Sequence, residues 1–352
     1  MSRAGRVVEL LRERELDSLL VTNLLNVRYL TGFTGTNGAC VITADELLFF
    51  TDFRYVEQAR EQVAEFERIE LGRDILGDLA KRLRGCAGFE DEHLTVAGHA
   101  KLSEKKPDGV ELVRAGGLVE RLRAVKDESE IASMQAAAEL STAAYESLRE
   151  RGLAGRTERD VAVELVRFME DSGAEGASFP PIVAAAAHGA LPHAVPRDLE
   201  IPRDTLVVID LGARVDGYCS DCTRTLATGS LDDEAIAVYE LVLRAQAESL
   251  AAATDGAECK AVDAVAREII DTAGHEKHFG HGLGHGVGVE VHEAPRLART
   301  AKDPLVAGNI VTVEPGIYLP GRGGVRIEDL VVVTGEGRDV LTGTTKDLVR
   351  VD

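Results

Sequence analysis

A chain of 352 residues exceeds what one hydrophobic core usually serves, and its formal net charge of −20 argues against nucleic acid or an anionic membrane as a partner. The composition, 45% hydrophobic and 28% charged, is that of a soluble globular protein. No apolar run approaches the ~20 residues of a membrane span, and residues 1–17 hold no uninterrupted apolar signal segment. Five scattered cysteines favour reduced thiols, so we predict a cytoplasmic location.

The first third of the chain alternates helical and strand patterns, which predicts a mixed α/β layer domain over residues 1–123. Residues 6–14 (RVVELLRER) and 55–66 (YVEQAREQVAEF) have helical spacing, whereas 16–22 (LDSLLVT) and 46–52 (ELLFFTD) predict strands. None of these segments carries a catalytic pattern of its own.

A second domain is predicted over residues 124–352, because a new helix signal begins at the boundary. Asp127 is a good N-cap, and Glu130 stands at the capping-box position three residues later. A further helix begins near Thr157. A loop with histidines (187–196) and a hairpin (205–226) that turns at 215–217 come next.

The same order of elements then occurs a second time. Helices are predicted from near Asp232 and Glu258, followed by a histidine segment at 281–292 and a hairpin at 310–333. Such a duplication predicts two halves related by a pseudo-twofold axis that meet around one site. A closed sheet core with outer helices is the architecture that fits two such repeats.

Each hairpin carries an acidic residue on both arms, Asp210 and Asp221 in the first and Glu314 and Glu328 in the second. The members of each pair are equidistant from the predicted turn, so we expect them opposite each other across antiparallel strands. Two buried pairs of like charges need a cation between them. Oxygen-rich ligands suit Mn²⁺, Co²⁺ or Fe²⁺ at least as well as Zn²⁺, and this many ligands suits two metals about 3.5–4 Å apart. The alternative is that the acids face solvent.

The histidine segment HGLGHGVGVEVH (281–292) is glycine-rich but fits neither common motif. Its glycines alternate strictly, unlike G-x-G-x-x-G, and no second histidine completes an H-E-x-x-H motif after His292. Alternate glycines predict a strand or loop packed closely against a neighbour, with room for substrate. His281 and His285 share one side if the segment is extended, whereas the sequence leaves the direction of His292 open.

Four stretches of the second domain carry a specific pattern: HGLGHGVGVEVHE (281–293), the two aspartates with CTR (222–224), TVEPGIY (312–318) and VRIED (325–329). They closely resemble the proline-specific peptidases of the pita-bread metallopeptidase superfamily, Xaa-Pro dipeptidase (prolidase) and aminopeptidase P. The resemblance implies an α/β (α+β) fold, in which an N-terminal mixed α/β domain precedes a C-terminal pita-bread domain with a pseudo-twofold repeat.

The resemblance also implies roles for individual residues. Two divalent ions, with Mn²⁺ expected before Co²⁺, Fe²⁺ or Zn²⁺, are bound by Asp210, Asp221, His285, Glu314 and Glu328. The catalytic residues are His193, His292, Glu314 as proton acceptor, and His281 at the downstream side of the scissile bond. The substrate-site residues are Phe179 and Ile182 at the proline pocket, Arg296 as a carboxylate anchor, and Arg326, which holds ligand carboxylates or balances charge. Two such metals activate water and polarise the scissile carbonyl.

The resemblance leaves the substrate length open between a dipeptidase and an aminopeptidase, both acting on small proline-containing peptides, and it implies a homodimer. Other possibilities are a methionine aminopeptidase-like or creatinase-like hydrolase and a noncatalytic binding protein on the same fold. His188 departs from the family's usual G-x-N segment, and we predict an exposed loop histidine without a role.

Overall fold

The computed structural model describes residues 1–72 and 74–352. These residues form two compact units, Met1–Arg123 and Ala124–Asp352. Within them, no helix is long and apolar enough to cross a membrane.

The N-terminal unit is a layered α/β domain built on one mixed sheet. Its helices are α1 (Arg3–Glu13), α2 (Leu24–Thr31), α3 (Val56–Gln62), α4 (Ile75–Ala80), α5 (Val96–Lys105) and α6 (Leu118–Ala124). Its strands are β1 (Ser18–Val21), β2 (Ala39–Thr43), β3 (Leu47–Thr51), β4 (Glu67–Glu70), β5 (Cys86–Phe89) and β6 (Glu111–Arg114), in the order β4-β3-β2-β1-β5-β6. β1 runs antiparallel to β2 and parallel to β5.

Helices cover both faces of this sheet, so its central strands are apolar on both sides. Leu19 and Ile42 point to one face, where they pack with residues of α1, α2, α3 and α6. Leu20 and Val41, their chain neighbours, point to the other face and pack with residues of α4 and α5. Because successive side chains of a strand point to opposite faces, each central strand contributes residues to two separate cores, as the α/β prediction requires.

The second unit contains the duplicated pattern predicted from the sequence. The first half comprises α7 (Glu128–Arg151), α8 (Glu158–Asp171), β7 (Gly176–Ala177), β8 (Ile182–Ala185), β9 (Thr205–Leu211), β10 (Ala213–Val215), β11 (Tyr218–Cys219) and β12 (Cys222–Thr228). The second comprises α9 (Asp233–Ala252), α10 (Cys259–Thr272), β13 (Gly284–Gly286), β14 (Glu293–Leu297), β15 (Ile310–Val313), β16 (Gly316–Leu319), β17 (Gly323–Arg326), β18 (Asp329–Thr334) and β19 (Gly337–Val340).

The predicted helix starts in this unit are confirmed. Asp127 caps α7 in a capping box with Glu130, and the side chains of Thr157 and Asp232 cap α8 and α9. Glu258 stands at the N-cap of α10 without a side-chain bond. Short polar side chains at these positions satisfy amides that the first helical turn leaves unpaired.

Each half packs its own helix pair against its own strands. One core joins α7 and α8 to β8, β9 and β12, which form a sheet in the order β12-β9-β8. The other joins α9 and α10 to the sheet β14-β13-β15-β18-β19 and the ribbon β16-β17. Backbone bonding then connects the halves, since the Glu328 amide donates to the Thr223 carbonyl at 3.1 Å. The acidic strands of both halves therefore meet.

The two hairpins differ from each other in register, and one prediction was wrong. The structure pairs Asp210 with Thr223, whereas we expected Asp210 to face Asp221. The first turn is centred between Asp216 and Gly217, one residue later than predicted, and both have positive φ (51° and 82°). The two-residue turn uses a left-handed conformation at Asp216 as well as at Gly217, and this moves its centre one residue along the chain.

The second hairpin has the predicted register. Val313 pairs with Asp329 and Gly316 with Arg326, so the intervening Glu314 and Glu328 occupy opposed positions around a turn at Gly321. In the first hairpin the two aspartates are offset by two residues in register, which in a regular pair keeps them on one face of the sheet. All four acids can therefore approach the same region.

Candidate active site

A cavity of about 510 Å³ opens where the two halves of the second unit meet. It is lined by all the residues predicted for the site: Phe179, Ile182, His193, Asp210, Asp221, His281, His285, His292, Arg296, Glu314, Arg326 and Glu328. This volume lies within the range of about 300–1,000 Å³ that is usual for small-ligand pockets. The structure thus brings together side chains from positions more than 100 residues apart.

Three carboxylates form the base of this cavity. Asp210, Asp221 and Glu328 are buried, and each contributes an oxygen to a group whose members lie within 4.8 Å of one another. Two oxygens, Asp210 Oδ1 and Glu328 Oε1, are buried without any hydrogen-bond partner. A buried carboxylate oxygen without a partner carries a large desolvation cost, so these atoms indicate the place of a cation.

The charges of the cluster oppose one another in the absence of a cation. Burial, followed by the neighbouring carboxylates, raises the pKa of Asp221 and of Glu328 well above the usual range. Burial and Glu314 also raise the pKa of Asp210, although Arg326 opposes the increase. A divalent ion would relieve this repulsion, and the hard oxygen donors suit such an ion. The residues present therefore fit a divalent metal.

His285, on β13 of the second half, lies beside the acidic group. Its Nδ1 lies 3.1 Å from the Gly286 carbonyl, which can only accept, so Nδ1 carries a hydrogen. Its Nε2 lies 3.2 Å from Glu314 Oε1 and 3.7 Å from Asp221 Oδ2. If the ring is neutral, Nε2 directs a lone pair at two carboxylates. A proton on Nε2 or a metal ion between these atoms would remove the repulsion between the lone pair and the carboxylate charges.

Glu314 lies beside this group and is ionised most readily when the His285 ring is protonated. Burial alone would raise the pKa of Glu314, but the hydrogen bond and charge of the protonated His285 ring lower it to about 2. Thr312 Oγ1 donates to Glu314 Oε1 at 3.0 Å and accepts from the His285 amide at 3.1 Å. Thr312 therefore orients both residues.

Arg326 is buried and all three of its nitrogen groups donate within the protein. Nη2 donates to Asp210 Oδ2 at 2.6 Å, and Nε donates to Thr223 Oγ1 at 2.9 Å. Because that hydroxyl accepts from Arg326, its own hydrogen is directed to Glu328 Oε2, 2.7 Å away. Arg326 thus holds two carboxylates of the cluster, directly and through Thr223. These contacts favour a role in holding carboxylates over one in contacting substrate.

A directed chain of hydrogen bonds links Arg326 to His281 through Tyr318, a residue that sequence analysis missed. Arg326 Nη1 donates to the Tyr318 hydroxyl at 3.0 Å, and that hydroxyl lies 2.9 Å from His281 Nε2. His281 Nδ1 lies 2.7 Å from the Gly282 carbonyl and must donate to it. Burial lowers the pKa of His281, so the neutral ring accepts from Tyr318. The residue stands in the quoted TVEPGIY motif, where its phenol could have been suspected.

His292 and His193 are the exposed histidines of the cavity. The His292 ring lies 4.3 Å from the His285 ring, centroid to centroid, which answers the question of its direction. β13 ends at Gly286, and an irregular segment before β14 turns His292 toward the cavity. Burial and the nearby His285 lower the pKa of His292. Both histidines are accessible to a bound ligand.

The predicted substrate residues lie around the same cavity. Ile182 is buried at the start of β8, Phe179 is half-buried, and Arg296 is exposed on β14 directly opposite His285 in the strand pairing. Pro180 and Pro181 add further apolar wall. One side of the cavity is thus apolar, while the side near Arg296 carries a positive charge.

The alternating glycines of the histidine segment pack against backbone, as predicted. A Cβ atom on Gly284 would lie 2.0 Å from the Thr312 carbonyl oxygen, and one on Gly286 would lie 2.2 Å from the Ala294 oxygen. Side chains at these positions would separate β13 from its neighbours. The glycines therefore serve strand packing and leave no added space for substrate at these two positions.

A buried ion pair on α10 holds the segment before His285 and was missed from the sequence. Arg267 pairs with Asp263, one turn away, at 2.6 Å, and also donates to the carbonyl oxygens of Phe279 and His281. Asp263 Oδ1 accepts from the Leu283 amide at 3.0 Å. The available signal was an Asp–Arg pair at i, i+4 on the apolar face of a helix, where charged residues are rarely placed without a partner.

The prediction for His188 was wrong, because its side chain is buried rather than exposed. Its Nδ1 lies 2.9 and 3.0 Å from the two carboxylate oxygens of Glu158, which is also buried. The sequence placed this histidine in a polar loop and contained no indication that a carboxylate 30 residues earlier would face it.

Comparisons with known proteins agree with this architecture. The model of the family described as "Metallopeptidase family M24" matches residues 132–335, and the model of the "Creatinase/Prolidase N-terminal domain" matches residues 3–125. The Xaa-Pro dipeptidase of Pyrococcus horikoshii is 34% identical over 99% of this chain and 98% of its own.

Two solved structures are similar over almost the whole chain. The Xaa-Pro dipeptidase from Bacillus anthracis is 39% identical with a TM-score of 0.96, and 99% of each chain is covered. The X-Pro aminopeptidase from Thermotoga maritima is 35% identical with a TM-score of 0.91, and both chains are covered completely. With its N-terminal creatinase/prolidase-type domain and its duplicated second unit, this chain belongs to metallopeptidase family M24 and has the pita-bread fold.

Proposed function

We propose that this protein is a metal-dependent Xaa-Pro peptidase, which hydrolyses the bond before proline at the N-terminus of peptides or in dipeptides. The observation that carries the proposal is the buried carboxylate group with two unpartnered oxygens, which lines the same cavity as the exposed histidines. The relatives named Xaa-Pro dipeptidase and X-Pro aminopeptidase support the same activity.

The proposed metal ligands are Asp210, Asp221, His285, Glu314 and Glu328. Two divalent ions, with Mn²⁺ as our choice, would supply Lewis acidity and an activated water there. Arg326 and Thr223 orient the ligand carboxylates, as groups outside the ligand set commonly do. The large number of oxygen donors is the reason for preferring Mn²⁺ to Zn²⁺.

The protein's own groups then position the substrate and move its protons. Glu314 lies in the cavity beside His285 and is placed to accept a proton from the attacking water and return it to the leaving nitrogen. His193 and His292 face the cavity and donate N–H groups to the developing oxyanion or the leaving group. Both ring nitrogens of His281 bond within the protein, to the Gly282 carbonyl and the Tyr318 hydroxyl, so His281 contributes the face of its ring to the downstream wall of the cavity.

Proline recognition follows from the shape of its ring. A prolyl amide has no N–H and a fixed φ, so it cannot pair with a peptidase as an extended strand does. Phe179, Ile182 and the adjoining prolines offer an apolar wall that can take the ring instead. Arg296, exposed at the cavity, is placed to bind the free carboxylate of a dipeptide.

Hydrolysis of Ala-Pro and Ala-Pro-Ala with Mn²⁺, measured side by side, tests this function. Cleavage of the dipeptide alone identifies a dipeptidase with Arg296 as its carboxylate anchor. Cleavage of the tripeptide identifies an aminopeptidase with an open downstream site. Failure to cleave either peptide, in protein shown to contain metal, would contradict the proposal.

We further propose that the protein acts in the cytoplasm as a homodimer. The free state of the cysteines in the structure is compatible with a reducing compartment. Sedimentation or light scattering of the purified chain tests the dimer, and a monomer at micromolar concentration would contradict it.

A further inference from the structure

The segment that carries His193 is tied to a buried carboxylate outside the cavity. Glu158, the first residue of α8, is 1% exposed and accepts from the Ala185 amide at 2.9 Å and the Arg197 amide at 3.0 Å. It also accepts from His188 Nδ1 and from the Arg197 guanidinium at 3.2 Å. One carboxylate therefore holds both ends and the interior of residues 185–197.

This carboxylate is ionised in the folded protein. Burial alone would raise the pKa of Glu158, but hydrogen bonds from Arg197, Ala185 and His188 lower it. An ionised carboxylate can only accept, so His188 Nδ1 is the donor. The bonds are thus charge-assisted, which makes them stronger than neutral ones.

Two backbone hydrogen bonds connect His188 to the turn that contains His193. The His188 carbonyl accepts from the Leu191 amide at 3.0 Å, and the Leu191 carbonyl accepts from the Ala194 amide at 3.2 Å. His193 lies within the second of these turns. Its neighbour Pro192 accepts from Arg326 Nη1 at 3.1 Å. The segment is therefore held by Glu158 on one side and by Arg326, which also bonds to the carboxylate cluster, on the other.

We propose that Glu158 and His188 are positioning residues of the peptidase reaction, which keep His193 directed at the bound substrate. The inference rests on the proposed function, in which His193 contacts the reacting atoms. Residues 197 and 199 also have backbone bonds to the start of α8, from Arg159 to Arg197 and from Glu158 to Leu199. Ala185 is in addition paired with Val207 of β9, so the bond to His188 is the tie that depends on the carboxylate alone.

The test compares His188→Ala, His188→Asn and Glu158→Gln with wild type. An asparagine Nδ2 occupies about the same place as the histidine Nδ1, so His188→Asn retains the donor. We expect His188→Ala to lower kcat on the order of 10-fold and Glu158→Gln on the order of 10- to 100-fold, because small misplacements of a catalytic group are costly. KM should change less than kcat, and His188→Asn should restore most of the loss.

The matched control is Asp198→Asn, which removes an exposed ion pair with Arg159 at the same end of the segment and leaves Glu158 untouched. It should keep wild-type kcat. Metal content, measured by elemental analysis, should be unchanged in all variants. Combining His188→Ala with His193→Ala should cost no more than His193→Ala alone, because two residues that act through one group are not additive.

Hydrogen exchange provides a readout that does not depend on turnover. His188→Ala should raise amide exchange in residues 186–196 and leave residues 279–289 unchanged. Wild-type kcat in His188→Ala, equal losses in His188→Ala and His188→Asn, or multiplicative losses with His193→Ala would each overturn the inference. If the wild type cleaves neither Ala-Pro nor Ala-Pro-Ala, the proposed function fails, and unchanged exchange in residues 186–196 would separately overturn the anchorage.

Discussion

The two halves of the catalytic unit hold their histidine segments by different means. In the first half, residues 185–197 bond through side chains and turns to one buried carboxylate, Glu158. In the second half, the segment around His285 forms a strand whose glycines contact neighbouring backbone, and the Asp263–Arg267 pair fixes its approach. In both halves, a buried acid on the second helix of the repeat bonds to the histidine segment that follows.

The difference corresponds to what each segment carries. His285 belongs to the proposed metal site, where a shift of a few tenths of an ångström matters for coordination. His193 faces the open cavity and stands on an exposed loop, where a substrate must enter and leave. Variants of the shared site, and then of each means of support, test this difference.

The largest effect is expected where both halves contribute to the same cluster. Glu328→Gln removes one charge from the group but keeps the hydrogen bond from Thr223 possible. We expect loss of bound metal and a fall in kcat on the order of 10⁴-fold. Without metal, the variant should melt no lower than the metal-free wild type, because repulsion within the cluster is reduced. Retention of metal and turnover would contradict the ligand assignment.

The ion pair that supports the second segment should matter chiefly for stability. Asp263→Asn leaves Arg267 buried without its charge partner, which typically costs about 3–5 kcal/mol in free energy of unfolding. Asp271→Asn, in the same helix with a looser exposed pair at 4.0 Å to Arg299, is the matched control and should cost less than about 1 kcal/mol. Equal losses in chemical denaturation would show that the buried pair has no special role.

The exposed histidine of the second segment should affect turnover without affecting metal. His292→Ala removes a proposed donor to the developing charge, and we expect kcat to fall about 10²–10³-fold. Its side chain is exposed at the cavity, so metal content and melting temperature should remain at wild-type values. Full activity of this variant, measured on Ala-Pro-Ala, would remove His292 from the mechanism.

The glycine packing gives the smallest of the expected effects and the sharpest control. Gly284→Ala places a Cβ 2.0 Å from the Thr312 oxygen, and overpacking of this kind costs about 1–3 kcal/mol. Gly280→Ala, four residues earlier, meets no atom within 4 Å and should be neutral. The denaturant midpoint should fall in Gly284→Ala and stay at the wild-type value in Gly280→Ala. Equal midpoints in the two variants would contradict the role of backbone packing.

Much of this organisation could be predicted because it depends on local sequence. Helix starts follow from capping residues such as Asp127 and Thr157, and the duplication follows from the order of elements. The acids stood out because carboxylates in apolar strands are costly unless they bind something. The second hairpin had a glycine at its centre, and its register was predicted correctly.

The errors concern relations that the sequence does not encode locally. The register of the first hairpin depended on a positive φ at Asp216. Aspartate can adopt this conformation but does not prefer it, so its presence does not predict the turn. The burial of His188 depended on Glu158, and the orientation of His281 depended on Tyr318, 37 residues away. These contacts arise only when the two halves and their helices pack together.

The proposed peptidase activity depends most directly on two metal ions bound by side chains from both halves. Titrating Mn²⁺ into metal-stripped protein, while following Ala-Pro-Ala hydrolysis and bound metal per chain, tests this dependence. We expect no turnover without metal, activity that saturates as two equivalents bind, and loss of both metal and turnover in Glu328→Gln. Full turnover in the stripped protein, or two equivalents bound by Glu328→Gln with wild-type activity, would contradict it.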